Sequence, residues 1–274
     1  MPKVAKKNTG FLGSVDPSLL SVIVPAYNCK TIFNDLSTIK LYLDLLNRPY
    51  ELLCVVDGLK NPKDKTYASA RSFKAKNSKV YFYPVNKGKG YAIRYGMARA
   101  RGGMIAFIDA GNDLNAKGIG LALEHMKWYD ADIIIGSKRH HASKVYYPWQ
   151  RKLLSYIVQK ATKFIFGLNV SDTQTGLKVF KREVLVNVLP RLIVKRWAFD
   201  LEILTVASRL GFKRIYESPV EISYNFSSNV GFSSIQNYFI DYLAIVYRTY
   251  ILRYYDDGHS DLWDGDPNLR LRYK

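Results

Sequence analysis

The chain has 274 residues, of which 48% are apolar, enough for one large α/β domain with a sizeable core and too many for a wholly disordered chain. A formal charge of +18 calls for an anionic partner, and 21 tyrosines, with their apolar rings and polar tips, suit a membrane–water boundary. Cys29 and Cys54 both sit in apolar, strand-like surroundings and read as buried free thiols rather than a disulfide or a metal pair.

Residues 1–19 read as a flexible basic arm. No uninterrupted apolar run separates this basic start from Asp16 and Pro17, so no signal peptide is expected. No stretch of about 18 apolar residues occurs, so no spanning helix is expected and the chain is placed in the cytoplasm, peripheral on the cytoplasmic face of a membrane. The first strand is predicted over residues 20–24, stopped by Pro25-Ala-Tyr-Asn28, where Tyr27 can stack on a ring. A helix over 31–46 leads to a second buried strand, 50–56, ending in Asp57. A polar helix (63–76) and a third strand (79–83) follow.

Asn86-Lys-Gly-Lys-Gly90 then opens a helix over 91–100. A glycine-rich, lysine-bearing loop at a helix N-terminus is either a phosphate neighbour or a plain turn. The next stretch organises the chain: Met104-Ile-Ala-Phe-Ile-Asp109-Ala-Gly-Asn-Asp113. A wholly apolar run that ends in a carboxylate is a central strand of a parallel sheet, and ligands of open α/β sheets gather at such strand ends. Asp109 and Asp113 either hold a divalent cation through hard oxygens or serve as a turn cap and a helix start.

A helix over 116–128 and a strand over 131–136 complete an alternation that argues for a mostly parallel sheet with helices on both faces. From Ile133 to Ser171 no acidic residue occurs, while Lys138, Arg139, Lys144, Arg151, Lys152, Lys160 and Lys163 do. Trp149, Leu153, Ile157, Ala161 and Phe164 share one face of a helix in this stretch, to be packed on the core or laid on an anionic lipid surface. His140 and His141 lie in its basic loop without metal-ligand spacing. Asp172–Lys181 is polar and then strand-like. Asp200 and Glu202 open a helix that runs to Leu210, where they can complement its positive end. Residues 213–220 read as an edge strand that tolerates Pro219. From Ile235 to Tyr254, apolar and aromatic residues recur at helical spacing, as in an in-plane interfacial helix or in a dimer or core contact. A loose polar tail is predicted for 257–274.

The motifs Val22-Ile-Val-Pro-Ala-Tyr-Asn28, Asn86-Lys-Gly-Lys-Gly90, Phe107-Ile-Asp-Ala110, Asp172-Thr-Gln-Thr-Gly-Leu-Lys178 and Trp197-Ala-Phe-Asp-Leu-Glu202 together resemble the family 2, inverting glycosyltransferases. The closest subgroup is the polyprenyl- and dolichyl-phosphate mannosyl- and glucosyltransferases. The resemblance covers residues 20–234 and implies a GT-A fold, a Rossmann-like, mostly parallel sheet flanked by helices. Residues 235–256 would add a C-terminal amphipathic interfacial helix on a membrane surface or a dimer contact. The resemblance places Pro25, Tyr27, Asn28 and Asp57 around the nucleotide, and Lys89 and Ala110 beside it. It makes Asp109 and Asp113 the ligands of Mg²⁺ or Mn²⁺. It sets Lys138, Arg139, Arg151 and Ser155 at the acceptor phosphate, and Asp200 near the sugar.

Four positions depart from the family pattern. Cys29 stands for an acidic residue, Val56 for the first Asp of Asp-Asp-Gly, Gly111 for the second Asp of the metal motif and Ser228 for a donor-contacting Arg. The expected activity is inverting, metal-dependent transfer of glucose or mannose from a UDP- or GDP-hexose to a polyprenyl or dolichyl phosphate. A glycan acceptor is the second reading: Arg196-Trp197 is present, but Ile193 occupies the Gln position of the processive synthases. A catalytically degenerate, membrane-surface nucleotide or lipid-phosphate binder is the third. An anionic membrane surface is an expected partner and a homo-oligomer a candidate one. No nucleic-acid recognition module is visible, so nucleic acid is not an expected partner.

Overall fold

The structure is a computed structural model, and it describes residues 15–111, 114–144, 159–222, 232–257, 266, 268 and 269. Among these, seven strands form one sheet in the order β3-β2-β1-β4-β6-β5-β7. The strands are β1 (Asp16–Ala26), β2 (Tyr50–Asp57), β3 (Ser78–Tyr83), β4 (Gly102–Ile108), β5 (Ile133–Ser137), β6 (Leu177–Lys181) and β7 (Ile215–Pro219). Only β6 runs antiparallel to its neighbours, wedged between β4 and β5. The sheet is therefore mostly parallel, as the alternating pattern predicts.

The helices are α1 (Ile32–Asp44), α2 (Thr66–Ser72), α3 (Lys89–Met97), α4 (Lys117–Trp128), α5 (residues 159–166), α6 (Arg182–Val188), α7 (Phe199–Arg209) and α8 (Phe232–Tyr250). They cover both faces of the sheet, and two buried clusters result. One gathers Ile23, Val55, Phe107 and Phe180 under α3, α6, α7 and α8. The other gathers Val22, Cys54, Ala106 and Val179 under α1, α2 and α4. Successive side chains of a strand point to opposite faces, so a strand covered on both must be apolar throughout. Tyr50–Asp57, buried at every position, meets that demand.

The chain departs from its sequence reading at several places. The arm ends earlier than residue 19: β1 begins at Asp16, which pairs with Gly102 of β4. Nor does Pro25 stop the strand, since β1 continues through Pro25 and Ala26 against Val55 and Val56 of β2. Its pairing with β4 ends at Ile23, so Pro25 sits where one side needs no ladder bond. On α5 the buried residues are Thr162 and Phe166, whereas Phe164 of the expected packing stripe is 91% exposed. The edge strand is found as predicted, with β7 last in the sheet. The tail is not loose at its described residues: Leu269 is buried, and Asp266 and Asn268 bond to Tyr91 of α3 and to Arg99, two residues past its end.

Near the C-terminus stands α8, which ends at Tyr250 and not at the expected residue 254. Tyr242, Ile245 and Thr249 face the core, and the Tyr242 ring meets Phe166 edge-on at 5.4 Å. Phe239, Ile240, Leu243 and Tyr247 lie exposed on the other side. No helix among the described residues is long and apolar enough to cross a membrane.

Candidate active site

Sheet topology decides where the polar groups collect. The carboxyl ends of β1, β2, β4 and β5 point the same way, and antiparallel β6 starts at that same edge. The strand order reverses around β1, with β2 on one side and β4 on the other, which opens a crevice there. Tyr27 and Asn28 follow β1, Asp57 ends β2, Asp109 follows β4, Lys138 and Arg139 follow β5, and Thr175-Gly176 precede β6.

At the centre is an alternating ladder of four charges. Lys89 Nζ donates to Asp109 Oδ2 at 2.9 Å and lies 3.3 Å from Asp200 Oδ2. Lys178 Nζ donates to the other Asp200 oxygen at 2.5 Å and to the Thr175 carbonyl at 2.8 Å. Lys178 and Asp200 are almost wholly removed from solvent, at 0% and 1% exposure. Burial opposes the charge on Lys89, but Asp109 and Asp200 outweigh it and lift its pKa above the ordinary lysine range. For Lys178, burial wins over Asp200 and the neighbouring Lys89 adds repulsion, so its pKa falls below that range. The Lys89 ammonium also stands 5.7 Å over both the Phe107 and Trp197 rings.

Two glycines make the ladder fit. A Cβ on Gly176 would lie 1.9 Å from Asp109 Oδ2, so only glycine lets β6 start against that carboxylate. The Gly176 carbonyl also accepts the Asp109 N–H at 2.8 Å. Gly88, at φ 104°, lets the loop pass so close to the Lys195 carbonyl that a Cβ would come within 2.4 Å of it.

Asp57 is buried and fully engaged. It accepts the Asn86 amide at 2.9 Å and the Lys87 and Gly88 N–H groups at 2.7 and 2.8 Å. It therefore shapes the loop that carries Lys89. Pro25 is buried within β1, Tyr27 is exposed at the crevice and Asn28 takes a left-handed turn, φ 47°, a conformation asparagine tolerates. Ala110 is half-buried directly after Asp109. Behind β5, the Lys138 N–H is held by Asp172 at 3.2 Å, and the Arg139 guanidinium donates to Gln159 of α5. Asp113, Arg151, Ser155 and Ser228 lie outside the described residues.

Several contributors carry no role in the sequence reading. Lys178 and Asp172 stand inside a quoted motif, but nothing local shows that Lys178 points inward to Asp200. Asp172 ties Lys138 N, Gln174 N and the Thr175 hydroxyl together. Glu217 of β7 in turn accepts from Ser171 N, Ser171 Oγ and Asp172 N. Asp35 of α1 accepts the Gly111 N–H at 2.9 Å and the Thr31 hydroxyl at 3.0 Å, joining the loops after β1 and β4. Only its place in a first helical turn marks it in the sequence. Glu202 does not merely complement the α7 dipole: it is buried and accepts from Ile193 N, Val194 N and Tyr255 OH. Asp200 likewise acts through its two lysines.

The donor set can be tested for a divalent cation. Asp109 Oδ1 is shielded from solvent and has no hydrogen-bond partner among the described residues, so one hard oxygen is left for a cation. The described residues contain no cluster of three or more metal-ligating side chains. Mg²⁺ and Mn²⁺ commonly bind through one or two carboxylates with water and phosphate oxygens completing the shell, and Asp109 fits that mode. At Gly111 the backbone has φ 112°, a conformation suited to glycine rather than to the usual aspartate.

Comparison with known proteins shows the family and the fold. Residues 21–189 match the model of glycosyl transferase family 2. A dolichyl-phosphate beta-glucosyltransferase of Drosophila melanogaster is 33% identical over 71% of this chain and 64% of its own length. One from Trichomonas vaginalis is 32% identical over 84% of this chain and 74% of its own. The chain thus spans somewhat under two thirds of the length of the first of these relatives. Among solved structures, glucosyl-3-phosphoglycerate synthase from Mycobacterium tuberculosis, crystallised with Mn²⁺, UDP-glucose and phosphoglyceric acid, superposes with a TM-score of 0.63. It is 17% identical and the match covers 84% of this chain and 79% of that one, so it shares the fold. The chain belongs to glycosyl transferase family 2.

Proposed function

We propose that the protein transfers glucose from a nucleotide sugar, UDP-glucose, to a polyprenyl or dolichyl phosphate with inversion. The ladder Asp109–Lys89–Asp200–Lys178 at the end of β4 carries this reading. The relatives named dolichyl-phosphate beta-glucosyltransferases support the sugar and the acceptor, and the UDP-glucose-bound synthase supports the nucleotide. Mg²⁺ or Mn²⁺ would be held by Asp109 Oδ1, with Asp113 as the second protein ligand expected from sequence. Bound there, the cation would neutralise charge on the leaving diphosphate.

The chain's own groups do the rest. Lys89 keeps a cation fixed at the carboxylate that faces the diphosphate, and Asp200 and Lys178 hold it from below. Asp200 is not the base, because both of its oxygens are committed to lysines in the interior. None is required: an acceptor phosphate with a second pKa near 6 is already ionised at neutral pH. What it requires is a positive wall, and Lys138 and Arg139 begin the one expected to continue through Arg151 and Ser155. Displacement on the face opposite the diphosphate gives a β-linked product from an α-linked donor.

The acceptor is a lipid, and α8 supports membrane attachment. Phe239, Ile240, Leu243, Tyr247 and Ile251 are exposed apolar residues with no covering element among the described residues. Phe164 of α5 adds to this side, because the Tyr250 hydroxyl donates to the carbonyl of its neighbour Ile165. Lys163 and Arg253, both exposed and next in sequence to Phe164 and Leu252, add positive charge that suits an anionic leaflet on the cytoplasmic face. A second copy of the chain covering the same side is the competing occupant.

The test is to offer UDP- and GDP-sugars with a short polyprenyl phosphate and Mn²⁺, and count sugar entering the organic phase. Transfer from UDP-glucose that stops with EDTA is the expected result. No transfer from any donor, with nucleotide still bound, would overturn the reading in favour of a degenerate binder.

A further inference from the structure

The described end of the chain is seated on the back of the glycine-rich loop. Asp266 Oδ2 accepts the Tyr91 hydroxyl at 2.9 Å and lies 3.8 Å from Lys87 Nζ. Lys87 Nζ in turn donates to the same Tyr91 hydroxyl at 3.0 Å and stands 4.3 Å over its ring. The three groups close a triangle of acid, phenol and ammonium. Asn268 N folds back onto Asp266 Oδ1 at 3.0 Å, and Leu269 N bonds to the Asp266 carbonyl at 3.0 Å, making a tight turn. The Asn268 carbonyl accepts Arg99 Nη1 at 2.7 Å and Leu269 is buried, so the chain is also anchored just after Asp266.

The loop under this turn is the one that carries the site. Lys87 and Gly88 give their N–H groups to Asp57, Tyr91 N is bonded to the Lys195 carbonyl at 3.0 Å, and Lys89 reaches Asp109. Two supports of the loop, Asp57 and Lys195, belong to the sheet edge and to the segment before α7. The third comes from Asp266, far along the chain. Among the described residues Asp266 makes no hydrogen bond or ion pair with the ladder residues; it meets the loop through Lys87 and Tyr91.

We propose that Asp266 is a positioning residue of the donor site: Asp266, with Asn268 and Leu269, straps the Asn86–Gly90 loop and thereby fixes Lys89 against Asp109. The inference rests on the reading of that loop as part of the donor site. A folded loop with a third support is preorganised, so less binding free energy goes into ordering it when a nucleotide arrives.

The experiment compares the full chain with Asp266→Asn, which keeps shape but removes the charge, and with Leu269→Ala, which loosens the anchor. Asp256→Asn is the control, because it breaks a remote ion pair with Arg209 without touching the loop. Two readouts are taken: hydrogen exchange at the Lys87, Gly88 and Tyr91 amides, and UDP affinity by calorimetry. The proposal expects these amides to exchange about tenfold faster in both strap variants, at a thermal midpoint matching the control. UDP binding weakens about three- to tenfold, and in turnover KM rises while kcat stays within about twofold. Unchanged exchange in Asp266→Asn and Leu269→Ala overturns the strap. Faster exchange with unaltered UDP affinity overturns its role at the donor site. Faster exchange in a protein whose wild type binds no UDP leaves the strap standing and sinks the donor reading of the loop instead.

Discussion

Lys89 Nζ lies 2.9 Å from Asp109 Oδ2, and the same ammonium reaches Asp200 at 3.3 Å, joining a loop, a strand end and a helix start through one cation. Lys89→Met would leave Asp109 facing the crevice without a partner and Asp200 with Lys178 alone. Removing one partner of a fully buried pair costs about 3–5 kcal/mol, and the partial exposure of Asp109 reduces this to about 2 kcal/mol. Urea unfolding measures that loss, and transfer should fall by about a hundredfold or more because the cation beside the diphosphate is gone.

The pH dependence of the same variant has a definite sign. Burial works against the Lys89 charge, but Asp109 and Asp200 prevail and raise its folded pKa above the ordinary value of 10.5. A raised folded pKa gives stability that is present in full below the unfolded value and lost as pH rises through the folded one. Wild type and Lys89→Met should therefore differ by a constant between about pH 6 and 9 and converge in alkali above about 10.5. A difference that closes on acidification below pH 8 would contradict this assignment.

Lys178 and Asp200 form the buried half of the ladder. Lys178→Met alone should destabilise by about 3–5 kcal/mol, because a carboxylate in the interior loses its nearest counter-charge. Adding Asp200→Asn removes that charge, so the double variant should be more stable than the two single losses predict, with a coupling above about 1 kcal/mol. Simple additivity in a double-mutant cycle would mean that the pair is not coupled.

Gly176→Ala tests steric fit rather than charge. The added methyl would lie 1.9 Å from Asp109 Oδ2, so either β6 or the carboxylate must move. Overpacking of this kind costs about 1–3 kcal/mol, and a shift near 1 Å at the site can lower turnover by about two orders of magnitude. Activity should thus fall much further than the thermal midpoint does.

How much of this was legible before the structure follows from the range of each interaction. The run ending in Asp109 declares a buried strand by itself, as does the run ending in Asp57, because each apolar segment stops abruptly in a carboxylate. Lys178 looks like one polar residue in a short strand; its meaning depends on Asp200, which folding brings beside it from another element. β1 could not be bounded from sequence, because Asp16–Leu19 and Pro25 are strand only through their neighbours in the sheet. Asp266 sits in a polar stretch that reads as tail, and only its contact with Tyr91 gives it a place. Phe164 failed differently: helical spacing located an apolar face, but not whether that face meets core or surroundings.

The exposed side of α8 and Phe164 makes a prediction about surfaces. Leu243→Asp and Phe164→Asp should each weaken sedimentation with vesicles containing anionic lipid by about tenfold, since each removes an apolar insertion and adds a repelled charge. Neither residue is in the core, so thermal midpoints should hold. A vesicle interaction untouched by both, with a sedimentation mass that drops from dimer to monomer, would assign that side to a second copy instead.

In the proposed site Asp109 holds the donor diphosphate through a divalent cation. The most direct measurement is calorimetric titration of UDP into wild type and Asp109→Ala, each with Mn²⁺ and with EDTA. The account predicts that Mn²⁺ tightens UDP binding to wild type by at least about tenfold, and that Asp109→Ala, still folded, loses this gain. Equal Mn²⁺ enhancement in both proteins would contradict it and place the cation elsewhere.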